Sequence, residues 1–321
     1  MKKFGIICGG FSSEFDISVK SARNILKNFP DAYDAYLIYL QRDGWFIEVN
    51  GIKLSLNSID FTFNNGVDKI DAVIVYIHGD PGENGKIQAY LDMIGLPYVN
   101  SGPLASQLSF DKWYCNEFLR GFGYNVAKSM YFSDAREVGD VEQMIEELGL
   151  PIFVKPCDSG SSYGIAKVKE VGQLSAAIED AFAEGESVIL ESFLDGVEVT
   201  CGAYRTSEGI QTLPLTEIVS ENDFFDYEAK YQGLSEEITP ARISENSTIQ
   251  VQKITKEIYQ LLNLRSIARI DFILVGGIPF VIEVNTTPGF SDESIVPKML
   301  SSASISTKGF WTEIIGAELD Q

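Results

Sequence analysis

The chain has 321 residues, 45% of them apolar, enough to bury about two or three cores and too many for one ordinary domain. A net charge of −21 argues against nucleic-acid and anionic-membrane partners, which need clustered lysine and arginine, so an anionic ligand has to be met by a few placed cations. No apolar run approaches the roughly 18 residues of a membrane span, MKKFGIICGG is too short in its apolar part for a signal peptide, and Cys8, Cys115, Cys157 and Cys201 lack metal or disulfide spacing. A cytoplasmic protein with reduced, buried thiols is expected.

KFGIIC, residues 3 to 8, reads as a short apolar strand ending in Gly9-Gly10. Ser12, Ser13 and Glu14 follow, and then a helical pattern through Ala22, Ile25, Leu26 and Phe29. The same grammar recurs in DAVIVYIHGDPGENGKIQAYLDMIG, with a buried-type strand ending at His78, a loop, and a helix beginning near Gly85. Both loops would lie at strand C-terminal ends, the edge at which open parallel sheets bind ligands. Residues 1–100 are therefore predicted to form a small doubly wound α/β unit. GDPGENGK is no Walker A loop, because five residues separate Gly79 from Gly85 and Ile87 stands where Ser or Thr would be needed.

Leu104, Leu108, Cys115 and Leu119 predict one helix over 103–120, with Gly121 past its end. It opens a second unit, 101–196, continuing with strands at PIFVKP and IAKVKE, a helix over QLSAAIEDAFAE and a strand at VILESFL. Between the first two strands, GSSYG at 160–164 fits the nucleophile-elbow pattern of serine hydrolases. The residues after Gly164 alternate as a strand where the elbow needs a helix, and the single histidine, His78, lies upstream of Ser162 instead of downstream. What remains is a glycine-rich loop between antiparallel strands. Backbone N–H groups at Gly160 and Gly164, with the hydroxyls of Ser161 and Ser162, can donate to phosphate oxygens while Lys155 supplies charge. A solvated hairpin tip is the plainer alternative.

The third unit, 197–321, carries strands at VEVTCGAYR and LPLTEIV, a polar and aromatic loop around FFDYEAKYQG, a helix from about 247 to 262, and strands at SIARIDFILV and PFVIEVN. Arg269, Asp271, Glu283 and Asn285 interrupt the apolar runs of the last two strands, and such groups are costly there unless paired or bound. A five-residue loop over 275–279 would place Asp271 opposite Glu283 and Arg269 opposite Asn285 on one face. A two-residue Gly-Gly turn would split the pairs between faces. Three oxygen ligands, two of them anionic, suit magnesium. An ion-pair cluster built on Arg269 is the structural alternative.

Lys155 with GSSYGIAKV, the acids Glu191 and Glu198, FDYEAKY, RIDF and EVNTTPG, in this order, resemble the ATP-grasp ligases and within them the D-alanine:D-alanine ligase family. GGFSSEFDIS and HGDPGENG extend the resemblance over nearly the whole chain. It implies an ATP-grasp fold, α+β in its C-terminal half, behind an N-terminal open parallel-sheet α/β domain. It implies ATP-dependent joining of two D-alanines through a D-alanyl phosphate, for peptidoglycan precursor synthesis, by a homodimer using two Mg2+ with Mn2+ as a substitute. Lys112 and Lys155 look like nucleotide-phosphate lysines, Glu198 like the ribose carboxylate, and Glu191 like a neighbour of the adenine amino group. Ser162 would donate to the phosphates and Lys230 would reach the terminal one. Asp271, Glu283 and Asn285 look like the metal ligands. Glu14 would take the first ammonium, with Ser161 and Tyr231 closing the chamber and His78 beside that substrate. Arg269 and the N–H of Gly289 would stabilise the oxyanion, and Ser294 would meet the second substrate's carboxylate.

Phe15 and Tyr163 depart from the family pattern without removing a ligand. A ligase making D-alanyl-D-lactate or D-alanyl-D-serine, and a nucleotide-binding module without turnover, are the alternatives. D-specificity rests on resemblance alone.

Overall fold

A computed structural model describes residues 1–160, 163–220 and 235–319. The first part holds β1 (Lys2–Gly9), α1 (Phe15–Lys27), β2 (Tyr33–Gln41), β3 (Gly44–Val49), β4 (Ile52–Ser55), β5 (Thr62–Phe63), β6 (Asp68–Lys69), β7 (Ala72–Val75) and α2 (Lys86–Ile94). Its main sheet runs β4-β3-β2-β1-β7. Strand β1 is apolar on both faces because both are covered. Phe4, Ile6 and Cys8 pack with Ala22 and Ile25 of α1, whereas Ile7 packs with Val73, Val75 and, from α2, Ile87 and Leu91.

Two expectations for this part are corrected. The sheet is mixed: β1 pairs parallel with β2 and β7, but β2, β3 and β4 form an antiparallel meander. The ladder of β7 ends at Val75, short of His78. There the Asn100 side chain takes over as a partner, its Oδ1 accepting from Val75 N at 2.6 Å and its Nδ2 donating to Val75 O at 2.9 Å. The chain then leaves the sheet and carries His78 to the strand's C-terminal edge.

The helix expected over 103–120 is two helices, α3 (Pro103–Phe110) and α4 (Lys112–Gly121). Asp111 breaks it with extended backbone (φ −81°, ψ 111°) and caps α4, its carboxylate accepting from Tyr114 N at 3.0 Å. The apolar period runs across the break, so periodicity could not reveal it. Next come β8 (Ser129–Phe132), α5 (Val141–Leu148), β9 (Ile152–Pro156), β10 (Ala166–Val168), α6 (Leu174–Glu184) and β11 (Val188–Ser192). The strands form an antiparallel sheet, β10-β9-β11-β8. Ile152, Val154 and Leu190 pack against Ala177, Ile178 and Ala181 of α6, so alternation turns Phe153, Lys155 and Glu191 to the opposite face.

The rest comprises β12 (Val197–Thr206), β13 (Gly209–Thr212), β14 (Thr216–Ser220), β15 (Ser235–Ile238), α7 (Glu245–Leu261), β16 (Ile267–Val275), β17 (Ile278–Asn285), α8 (Ile295–Ser302) and α9 (Thr307–Leu319). The sheet runs β15-β14-β12-β16-β17, with β13 paired to β12. Val251, Ile258 and Tyr259 of α7 fill a core with Val199, Cys201, Ile270 and Phe272. Cys115 and Leu119 of α4 join this core, so the helices after residue 102 pack with the third sheet. Phe310, Trp311, Ile314 and Ile315 of α9 are wholly buried in the same cluster as Phe4, Ile6 and Cys8, tying the two ends of the chain together.

The last hairpin reaches the expected pairing by a different route. Its turn is the two-residue one, since Val275 pairs with Ile278 and Gly276 and Gly277 both hold positive φ (57° and 86°). Uncorrected, that turn would set Asp271 opposite Ile282. A β-bulge beside Asp271 absorbs one residue of β17, so Phe272 pairs with Val281 but Asp271 with Glu283 and Arg269 with Asn285.

Candidate active site

The free faces of the second and third sheets bound a cleft of about 900 Å3, counting its open mouth. Lys112, Lys155, Glu191, Glu198, Arg269, Asp271 and Glu283 all line it. At one end Lys155 Nζ lies 2.6 Å from Glu191 Oε2 and 5.3 Å above the Phe153 ring. Asn116 Nδ2 donates to Glu191 Oε1 at 2.8 Å. Glu198 is half-buried on β12.

Toward the other end Lys112, first residue of α4, places its Nζ 3.1 Å from Glu283 Oε1 and 2.8 Å from Ser159 O. Burial alone would push this ammonium down. The Glu283 carboxylate, by charge and hydrogen bond, more than offsets that and holds it above the ordinary lysine value. Arg269 grips Asp271 with two bonds of 2.8 Å, from Nε to Oδ1 and from Nη2 to Oδ2. Burial opposes its charge, but Asp271 and then Glu283 hold it protonated. Asn285 Nδ2 donates to Asp271 Oδ2 at 2.9 Å, and the Thr200 hydroxyl donates to Oδ1.

These residues fit a hard cation. Asp271 and Glu283 face one another across the hairpin, with Asn285 two residues on and two cations alongside. Among the described residues no three Asp, Glu, His or Cys side chains converge. A metal here would take two carboxylates and an amide and complete its shell with water and phosphate oxygens, which is how magnesium is usually held.

A second group of polar residues sits where the first sheet meets this cleft. Glu14 and His78 are buried at 8% and 5% exposure, in the segments that follow β1 and β7. His78 Nε2 lies 3.2 Å from Ser21 Oγ, and burial lowers its pKa, with the Glu14 charge opposing, so it is neutral at pH 7. Gly160 lies against Glu14: a Cβ there would stand 2.6 Å from Glu14 Oε2, so a larger residue would require that carboxylate to move. Glu83, which sequence reasoning missed, accepts from Gly79 N at 2.8 Å. Burial, then the neighbouring Glu14 charge, pushes its pKa up to about 8, and it feels the charges of Glu283 and Arg269 as well. The two groups adjoin through the chain at 159–160, Ser159 O accepting from Lys112 Nζ and Gly160 lying against Glu14. A hint was available: Glu83 stands five residues after His78 in a loop at a strand end.

Gly289 and Ser294 adjoin, since a Cβ on Gly289 would lie 3.1 Å from Ser294 Oγ. Ser294 holds the N-cap position of α8 without capping it; its Oγ accepts from Ser291 N at 3.0 Å. The loop before it is docked on the first unit. Tyr76 OH donates to Pro288 O at 2.7 Å, Asn24 Nδ2 to Phe290 O at 2.8 Å, and Phe290 N to Ser21 Oγ at 3.1 Å. Ser21 thus holds both His78 and this loop, which no pattern in the sequence signalled. Ser161, Ser162, Lys230 and Tyr231 lie outside the described residues.

Two antiparallel sheets closing on a cleft of paired lysines and carboxylates, behind an α/β unit that brings buried acids to its edge, define the ATP-grasp class of ligase fold. Residues 3–101 match the family description D-ala D-ala ligase N-terminus and residues 118–316 match D-ala D-ala ligase C-terminus. The chain is 44% identical to the D-alanine–D-alanine ligase of Parabacteroides distasonis, over 99% of this chain and 98% of that one. It is also 44% identical to that of Porphyromonas gingivalis W83, over 100% and 99%. Among solved structures it resembles the D-alanyl-alanine synthetase A of Vibrio cholerae (TM-score 0.90, 28% identity, 100% and 99% covered). It also resembles the VanG D-Ala:D-Ser ligase of Enterococcus faecalis (0.88, 29%, 99% of each). A third is the Bacillus anthracis D-alanine–D-alanine ligase complexed with ATP (0.81, 26%, 100% and 98%). The chain belongs to the D-alanine–D-alanine ligase family.

Proposed function

We propose that this protein joins two D-alanine molecules to D-alanyl-D-alanine at the expense of ATP, for peptidoglycan synthesis. The observation that carries the reading is the adjacency of two groups: Lys112, Lys155, Glu191, Glu198, Arg269 and Asp271 line one cleft, and Ser159, held by Lys112, leads to Gly160, which lies against the buried Glu14. Lys112 and Lys155 act on the phosphates, Glu198 on the ribose and Glu191 beside the adenine amino group. Ser162 and Lys230 add phosphate donors, and Ser161 and Tyr231 close the chamber.

Glu14 receives the ammonium of the first D-alanine, with neutral His78 beside it. The carboxylate of that D-alanine attacks the terminal phosphorus of ATP, giving D-alanyl phosphate and ADP. The amine of the second D-alanine, its carboxylate held near Ser294, then attacks the acyl carbon. Arg269 and the Gly289 N–H stabilise the resulting oxyanion, such a donor being typically worth about 100- to 1000-fold in rate. Phosphate leaves and the amine loses its proton. Asp271, Glu283 and Asn285 would hold two magnesium ions, or manganese, which when bound offset phosphate charge. The protein works in the cytoplasm as a homodimer, and residues 1–100, 101–196 and 197–321 are its three working units. No helix among the described residues is long and apolar enough to cross a membrane.

Likeness to a D-Ala:D-Ser ligase at 29% identity leaves the second substrate to be tested. Purified protein with ATP and magnesium is given D-alanine alone, D-alanine with D-lactate, D-alanine with D-serine, and L-alanine. D-alanine-dependent phosphate release, one dipeptide per phosphate, is expected. Phosphate release that ignores D-alanine, or a mixed product outweighing the dipeptide, overturns the reading.

A further inference from the structure

Helix α4 carries two polar side chains four residues apart on one face, Lys112 and Asn116. Lys112 reaches Glu283 at the metal end of the cleft and Asn116 reaches Glu191 at the other end. The helix is pinned at its start by the Asp111 cap and by Lys112 N donating to Cys157 O at 3.0 Å. Asn116 is 2% exposed and sits between Cys115 and Leu119, which belong to an apolar core, so its amide is costly there without a partner. That partner lies 75 residues away on β11.

Glu191, 5% exposed, has one oxygen on the Asn116 amide and the other on the Lys155 ammonium. A carboxylate offers about four lone-pair positions, so a further donor can still approach. Were Asn116 absent, both oxygens would be free to turn onto Lys155, and the face offered to a ligand would go with them. An amide is suited to prevent this. It donates without adding charge, leaving the Lys155–Glu191 pair electrically balanced.

We propose that Asn116 is a positioning residue for the nucleotide base: its side-chain amide divides the Glu191 carboxylate between Lys155 and an exocyclic amino group on the base. The inference rests on the proposed ATP-dependent reading, in which the base lies at Glu191. Adenine presents an amino donor there; a 6-oxo purine presents an acceptor.

Calorimetric binding of ATP to the full-length wild type comes first, since absence of binding overturns both the reading and this inference. Steady-state kinetics then compare wild type, Asn116→Ala, Asn116→Asp, Glu191→Gln and the Asn116→Ala/Glu191→Gln double variant, with ATP and with inosine triphosphate. Asn116→Ala is expected to raise KM for ATP about tenfold, equivalent to about 1.4 kcal/mol, and to weaken ATP binding alike. KM for D-alanine should stay within about twofold and the preference for ATP over inosine triphosphate should shrink in proportion. Asn116→Asp keeps the shape but not the donor and should do no better. The double variant should lose nothing beyond Glu191→Gln. An unchanged KM for ATP, full recovery in Asn116→Asp, equal losses in every kinetic constant, or additive effects in the double variant would overturn the assignment while leaving the ligase reading intact.

Discussion

Glu83 is a carboxyl group held partly neutral at physiological pH by burial and by the Glu14 charge next to it. Its pKa in the folded state, about 8, stands above the ordinary value of 4.5. The unfolded chain therefore releases this proton at lower pH than the folded one. The stabilisation is complete below the ordinary value and is lost as pH rises toward about 8. Melting curves of the nucleotide-free protein from pH 5 to 8.5 should fall with pH, and Glu83→Gln should flatten that fall. Parallel curves for the two proteins would show that Glu83 does not titrate in this window. His78 acts in the opposite sense: burial lowers its pKa below the ordinary 6.5, so its contribution to stability grows as pH rises through that value, and the comparison with Glu83→Gln, in which His78 is kept, isolates the acid's part.

At the scale of elements, two local irregularities put the site together. Asp111 divides what would be one helix, and so brings Lys112 to a helix start where its ammonium meets both Glu283 and the Ser159 carbonyl. Replacing an N-cap acid by alanine typically costs about 1 kcal/mol. Asp111→Ala should lower the urea midpoint by a corresponding amount and raise KM for ATP, and Asp111→Asn, which keeps an acceptor, should recover most of both. If Asp111→Ala unfolds as the wild type does, the cap does not hold the helix start. The bulge beside Asp271 is the second irregularity. The Gly-Gly turn makes the tightest hairpin available, and the bulge restores the face that this turn would otherwise have reversed.

Across the whole molecule, the amino-terminal sheet and the carboxy-terminal helix share one core. Trp311 is fully buried in it, in edge contact with Phe290 at 5.0 Å and with Tyr76 at 6.1 Å between ring centroids. Tyr76 precedes His78 by two residues and Phe290 follows Gly289, so this packing sets one side of the site against the other. Deleting a buried aromatic side chain typically costs about 3–5 kcal/mol. Trp311→Ala should lose that much in denaturant unfolding, and turnover of the surviving folded fraction should drop as the loop at 286–290 loses its seat. A midpoint within error of the wild type would mean that this core does not join the two ends.

The sequence by itself made legible, from local pattern, most elements around the chemistry and, among the residues that line the cleft, Lys155, Arg269, Asp271 and Glu283, whereas Lys112, Glu191 and Glu198 are named through the family resemblance. Strand alternation, glycine loops and buried charges in apolar runs are local signals, readable wherever the residues stand close together in the chain. It left unread the meander of β2 to β4, the break at Asp111, and the closing helices α8 and α9. It also missed Asn116, Glu83 and Ser21, whose partners lie far away in sequence or whose role depends on a neighbour's charge. Only the tertiary structure decided which route the last hairpin takes to bring Asp271 opposite Glu283. A turn fixes register within a few residues, whereas a bulge forms where packing on both faces of a sheet favours a locally irregular pairing.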